Sequence, residues 1–169
     1  MAVNYWYRKF LGDDVDDKVR ENVLLFSWDE EILISDSDSE ISIGAQIAVN
    51  GDNVHITWEQ YYSSQSYYAA EYARSTNGGE TFESPGTISS SGNTVSETTI
   101  STQESSVVIG WLEDSDSGDV LKSKSSSNSG STFGTEAIVA SSDAGSYAFL
   151  DSDNDGGSNY YFTWLEIPV

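Results

Sequence analysis

Val-His-Ile-Thr-Trp-Glu-Gln at 54–60, Val-Val-Ile-Gly-Trp-Leu-Glu at 107–113 and Tyr-Tyr-Phe-Thr-Trp-Leu-Glu at 160–166 superpose at a constant offset of 53 residues. This places Trp58, Trp111 and Trp164 in register. Three copies at one spacing make the chain a repeat, in which each unit buries its apolar face against its neighbours. Each copy is a short run rich in Val, Ile, Thr, Tyr and Trp, which is the composition of a β-strand. Outward from these strands, apolar segments of four to eight residues alternate with Gly/Ser clusters such as SSSGN at 89–93 and SSDAGS at 141–146. One stretch, DDVDDKVREN at 13–22, has a weak helical pattern, but only Val15 and Val19 form its stripe, so it reads as an acidic loop.

A second element recurs after the first two tryptophan strands. Ser75, Asn77, Gly79, Thr81 and Phe82 in STNGGETF at 75–82 match Ser126, Asn128, Gly130, Thr132 and Phe133 in SSNSGSTF at 126–133. The shared pattern S-x-N-x-G-x-T-F resembles the Asp-box, S-x-D-x-G-x-T-W, of sialidase-like (BNR-repeat) β-propellers, with Asn for Asp and Phe for Trp. The resemblance implies that each box closes the hairpin between the third and fourth strands of a blade and that its role is structural. Physically, the Asn side chain accepts from nearby backbone N–H groups, glycine supplies a positive φ, and the aromatic ring packs between blades.

The expected fold is all-β, with three four-stranded propeller blades per chain. Residues 36–90 form a blade with its Asp-box at 75–82, and 91–141 a second with its box at 126–133. Residues 142–169 carry strands 1 and 2 of a third blade. Residues 1–35 carry its strands 3 and 4, because Trp6-Tyr7-Arg8 parallels Tyr72-Ala73-Arg74, and Ser27-Trp28 before EEILIS parallels Thr81-Phe82 before SPGTIS. One blade is thus split between the N- and C-termini. Three blades do not close a ring, since propellers use four to eight. Two copies give six, the count usual in the sialidase-like family, so the expectation is a six-bladed β-propeller formed as a head-to-tail homodimer. A fragment of a longer propeller, or a ring shared with a different subunit, are the alternatives.

Composition sets the limits on partners. Against 28 acidic residues stand 7 basic ones, a net charge of −21. That excludes a nucleic-acid binder driven by phosphate neutralisation and a basic membrane-surface protein. No apolar run approaches the roughly 20 residues needed to span a bilayer, so no membrane insertion is expected. The N-terminal MAVNYWYRKFLGDD has no apolar core of a secretory signal, and an extracellular or virion-surface location would need another export route. Cysteine is absent, so no disulfide or thiolate chemistry is available. The acid excess resembles that of halophilic proteins, in which salt or bound cations relieve self-repulsion; an ordinary acidic extracellular protein is the other reading.

Three features bear on function. First, QYYSSQSYY at 60–68 reads as a loop between strands 2 and 3, on the face where propellers of this family bind ligands. Tyr61, Tyr62, Tyr67 and Tyr68 around a Ser-Ser-Gln-Ser centre have the chemistry of recognition loops, suited to a glycan or a protein ligand, or else they pack between blades. On the same face SDSDSE at 35–40 and EDSDSGD at 113–119 are acidic and repel a sugar carboxylate. Second, Asp151, Asp153, Asp155 and Asn159 in DSDNDGGSN at 151–159 have the spacing of a calcium loop and resemble those of integrin-type propellers. A structural calcium or a solvated turn are the two readings, and no cofactor is required. Third, the resemblance implies that a sialidase would need three arginines, a tyrosine nucleophile with a glutamate partner, an aspartate acid/base and an F/Y-R-I-P segment. The arginine triad and that segment are not found. The expected function is therefore non-catalytic recognition; a structural subunit of a cell-surface or virion particle is the alternative, and a sialidase-like glycoside hydrolase the second alternative. His55, the single histidine, lies in a tryptophan strand and reads as structural.

Overall fold

The structure, a computed structural model, describes residues 6–7, 10–11, 27–28, 30–35, 40–90, 92–115, 118–143 and 145–167. Expectations that fall on Asp36, Asp38, Asp116 and the acidic stretch 13–22 lie outside them. The described residues are all-β, with antiparallel pairing throughout. Among them no helix is long and apolar enough to cross a membrane.

Near the N-terminus β1 (Trp6–Tyr7) pairs with β4 (Ile32–Leu33), and β2 (Phe10–Leu11) with β3 (Ser27–Trp28). A first sheet then runs as a meander, β5 (Ser42–Asn50), β6 (Asn53–Tyr62), β7 (Tyr67–Ser75) and β8 (Gly86–Thr87). A second repeats the order with β9 (Val95–Gln103), β10 (Ser106–Glu113), β11 (Val120–Ser126) and β12 (Ala137–Ser141). The chain ends in a two-stranded unit, β13 (Ser146–Asn154) and β14 (Tyr160–Ile167). Each tryptophan of the repeat lies on the second strand of its unit, and the first strand of all three units is bulged, at Ile43/Gln46, opposite Leu112/Glu113 and at Ala148/Asp151.

Sheets pack face to face, and the alternation of side chains along a strand decides what each face buries. Trp111, Ile109 and Val107 on β10 point at the first sheet and join Ala70, Tyr72 and Ile88 in one core cluster. Trp58, Ile56 and Val54 on β6 point the other way and meet Ile34, just after β4. Ile34 and Ile88 thus play one part, each following a short outer strand and closing over the tryptophan face of the next sheet. On the far side of the second sheet, Leu112 and Leu121 meet Tyr147 and Leu150 of β13. Gly110 makes room there: a Cβ on it would press on the Phe162 ring of β14 at 2.5 Å.

Candidate functional site

Tyrosine favours extended backbone, and here it lengthens the central hairpin beyond the sequence reading of 60–68 as a loop. β6 continues through Tyr62 and β7 begins at Tyr67, so the turn shrinks to 63–66. The hydrogen bond from Ser66 N to Tyr62 O at 2.8 Å and the positive φ of Ser66 (60°) close that turn. Tyr61 pairs with Tyr68 and Tyr62 with Tyr67, with ring centroids 5.0 Å and 5.9 Å apart. Because neighbouring residues of a strand point to opposite faces, the four rings do not make one patch. They form two pairs back to back, Tyr62/Tyr67 on the Trp58 face and Tyr61/Tyr68 on the face turned to the second sheet.

Polar groups beneath the hairpin hold it in place. The Tyr62 hydroxyl donates to the buried Glu71 carboxylate at 2.8 Å, and the Thr87 hydroxyl donates to the same oxygen at 2.5 Å. Burial pushes the Tyr62 phenol up to about 12, so it stays a donor. On the other side of the turn, Ser63 donates from its hydroxyl and its backbone N–H to Glu40, at 2.5 and 3.2 Å. Of the acidic stretch 113–119, Asp119 is likewise tied down, accepting from Tyr147 N at 2.7 Å. Burial, with the Asp119 carboxylate adding to it and the Ser96 hydrogen bond opposing it, pushes Asp114 up.

The two S-x-N-x-G-x-T-F stretches fold alike. In the first, the Ser75 hydroxyl donates to Asn77 Oδ1 at 2.7 Å and accepts from Asn77 N and Gly79 N at 3.2 and 2.9 Å. Asn77 Oδ1 accepts from Thr81 N, and its Nδ2 donates to the Thr81 hydroxyl, at 3.0 and 2.9 Å. Ser126, Asn128, Gly130 and Thr132 make the same five bonds, each within 0.1 Å of its counterpart. Gly79 and Gly130 have φ of 88° and 74°, which glycine adopts without strain. Phe133 stands edge-on to Tyr72 of the first sheet at 5.1 Å, so the second turn also fastens two sheets together.

Cations are few, and those described are engaged. Arg74 meets Glu83 through Nε and Nη2 at 2.8 Å and donates from Nη1 to the Ser129 carbonyl at 2.9 Å. Lys122 joins Glu113 and Glu136 at 2.8 and 3.0 Å, and Lys124 donates to the Ile88 carbonyl at 2.6 Å. Arg74, at the edge of its turn, therefore offers no open guanidinium fork to a ligand carboxylate.

Of the four residues read as a calcium loop, Asp155 and Asn159 are brought into contact. Asp151 and Asp153 lie within β13, paired opposite Thr163 and Tyr161. Asp155 instead stabilises the hairpin turn, accepting from Asn159 Nδ2 at 2.6 Å and from Gly157 N at 2.8 Å. Among the described residues no three His, Asp or Glu side chains group as a metal site.

A polar role that the sequence reading passed over sits two residues after Trp58 and Trp111. The Trp58 indole N–H donates to Gln60 at 3.2 Å and that of Trp111 to Glu113 at 3.5 Å, so a buried donor is satisfied on its own strand. The signal was available, since Gln60, Glu113 and Glu166 occupy one position of the repeat. Compared with protein-family models and with curated proteins, the chain matches none.

Proposed function

We propose that the chain is a non-catalytic, sialidase-like β-propeller module that recognises a glycan or a protein surface through the β6–β7 hairpin. In this reading the sheets are blades of a six-bladed ring that a second copy completes. The observation that carries the recognition role is the hairpin end itself. Two tyrosine pairs flank an exposed Ser-Ser-Gln-Ser turn, with Tyr62 fixed from behind by Glu71. Such rings give contact area at low entropic cost and stack on sugar rings or on a protein surface alike. The ring reading is supported by two meanders of one strand order, by two like-folded Asp-box turns, and by tryptophan faces that turn the same way from sheet to sheet.

The test is binding of the full chain to a printed glycan array and to cell-surface protein, compared with the Tyr61→Ala/Tyr68→Ala variant. Loss of a wild-type signal in the variant supports recognition through the hairpin, and an unchanged signal rejects it. A second reading, a structural subunit of a surface or virion particle, is favoured by apolar sheet faces left exposed on β5 and β14. Absence of any binding together with assembly into larger particles would select it.

A further inference from the structure

The repeat compares residues that occupy one position in successive units, and at two places the comparison fails. Ile100 on β9 is 6% exposed because the first sheet lies on it, whereas its counterpart Ile47 on β5 is 52% exposed, with Val49 beside it also bare. Leu112 on β10 is fully buried under β13, whereas its counterpart Leu165 on β14 is 49% exposed, flanked by Tyr161 and Ile167. Both bare faces carry residues that the fold buries wherever a neighbouring unit is present, so each lacks one unit of the kind this chain makes.

The missing units have a specific form. The tryptophan face of the first sheet is covered over its outer strands by Ile32 and Ile34, and what remains bare is β5. In the second sheet the matching strand β9 is covered by β5 and β6, the first two strands of the preceding unit. A pair of first and second strands is therefore what Ile47 and Val49 lack, and β13–β14 is such a pair. Conversely, β13–β14 lacks third and fourth strands. Among the described residues the outer edge of β14 is unpaired, as is the second edge of β1 in the β1–β4 pair. Joined edge to edge, they give the order β13-β14-β1-β4, the same meander as β5-β6-β7-β8.

Resting on the propeller reading above, we infer that the occupant of both faces is a second copy of this chain, docked head to tail. The Tyr161–Leu165–Ile167 face of one copy seats on Ile47 and Val49 of the other, and β14 of the first pairs with β1 of the second. The two-fold repetition of this junction gives two identical contacts and closes the assembly. Covering the free edge of β14 also removes an aggregation-prone strand edge.

Ile47→Arg and Leu165→Arg test this in the full chain, because both side chains are exposed and their replacement leaves the fold of one copy intact, as circular dichroism would verify. By light scattering after size exclusion, the wild type is expected at twice 18.4 kDa and each variant at 18.4 kDa. An equimolar mixture of the two variants is expected to recover the dimer mass, since one junction of the mixed pair then joins two unaltered faces. Failure of the mixture to recover would overturn the head-to-tail order, because a face-to-same-face dimer leaves no unaltered junction. Variants that stay dimeric would overturn the assignment of these faces while leaving the ring reading standing. A monomeric wild type would overturn the second copy as occupant, and dimers whose negative-stain averages lack a six-membered ring would overturn the propeller reading itself.

Discussion

Gly130 of the second sheet lies so close to Tyr72 of the first that a Cβ on residue 130 would occupy the position of the tyrosine hydroxyl. That hydroxyl is held 2.7 Å from His55 Nδ1, and both rings are buried. Tyr72 therefore cannot swing away without giving up its partner.

Gly130→Ala meets two penalties, a positive φ of 74° and the collision with Tyr72. Gly51→Ala isolates the first, because Gly51 has φ of 59° with nothing within 4 Å of its would-be Cβ. The φ cost alone is about 1–2 kcal/mol. Urea unfolding should show Gly130→Ala losing more than Gly51→Ala, by at least about 1 kcal/mol, the cost of overpacking a site that does not yield. Equal losses would show that the sheets move apart at no cost.

What could be read from the sequence, and what could not, divides along the same line between local and cross-sheet contacts. The two S-x-N-x-G-x-T-F turns were legible because Ser75, Asn77, Gly79 and Thr81 satisfy one another within seven residues of chain. The period of 53 was legible because one strand position recurs with the same bulky indole. The fate of the tyrosines was less so: reading 60–68 as a loop hid the strand alternation that splits Tyr61/Tyr68 from Tyr62/Tyr67. In 151–159 the strand was less legible, because Asp151 and Asp153 pair with Thr163 and Tyr161 across the hairpin while their own carboxylates accept from Ser152 N and Asn154 N. The contact of Gly110 with Phe162 joins residues 52 positions apart through the stacking of two units. No local pattern announces it.

The three repeated tryptophans should differ in energetic weight although the sequence treats them alike. Trp58 and Trp111 are 1% and 0% exposed and each donates its indole N–H, whereas Trp164 is 37% exposed beside Tyr147. Trp58→Ala and Trp111→Ala are each expected to cost about 3–5 kcal/mol in urea unfolding. In the monomeric Leu165→Arg background, Trp164→Ala should cost clearly less, since among the described residues no third strand pairs with β14. Equal costs at all three positions would mean that Trp164 is already covered in the monomer.

Salt should stabilise the fold through the charge balance of −21. At low ionic strength like charges on one chain repel over the Debye length of about 10 Å at 0.1 M, which shrinks to about 3 Å at 1 M. The melting temperature in NaCl should therefore rise steeply up to a few tenths molar and flatten above it. The Arg74–Glu83 and Lys122–Glu113–Glu136 pairs are screened in the same range but are too few to reverse the trend. A melting temperature that falls with NaCl would reject repulsion as the dominant electrostatic effect.

Two buried groups on β6 should give the pH profile opposite slopes. Glu59 is pushed up from 4.5 to about 7, first by burial and then by the Glu97 carboxylate on β9, with the backbone hydrogen bond at Thr98 opposing. The fold therefore keeps a proton that the unfolded chain releases, so the Glu59 contribution is complete below pH 4.5 and is lost as pH rises through 7. His55 is pushed down from 6.5 to about 4, first by burial and then by the Arg74 charge. Here the unfolded chain takes up a proton that the fold refuses; the His55 contribution is complete above pH 6.5 and is lost as pH falls through 4. Between about pH 4.5 and 6.5 the two oppose each other, and from 6.5 to above 7 only the Glu59 loss remains. Glu59→Gln should match the wild type near pH 4.5 and melt higher at pH 8, so that the difference between the two curves grows through pH 5–7.5. Taking the difference removes the other 27 carboxylates, which both proteins share. Parallel curves across that range would show that Glu59 ionises in the fold as it does in water, and that the joint between β6 and β9 admits solvent.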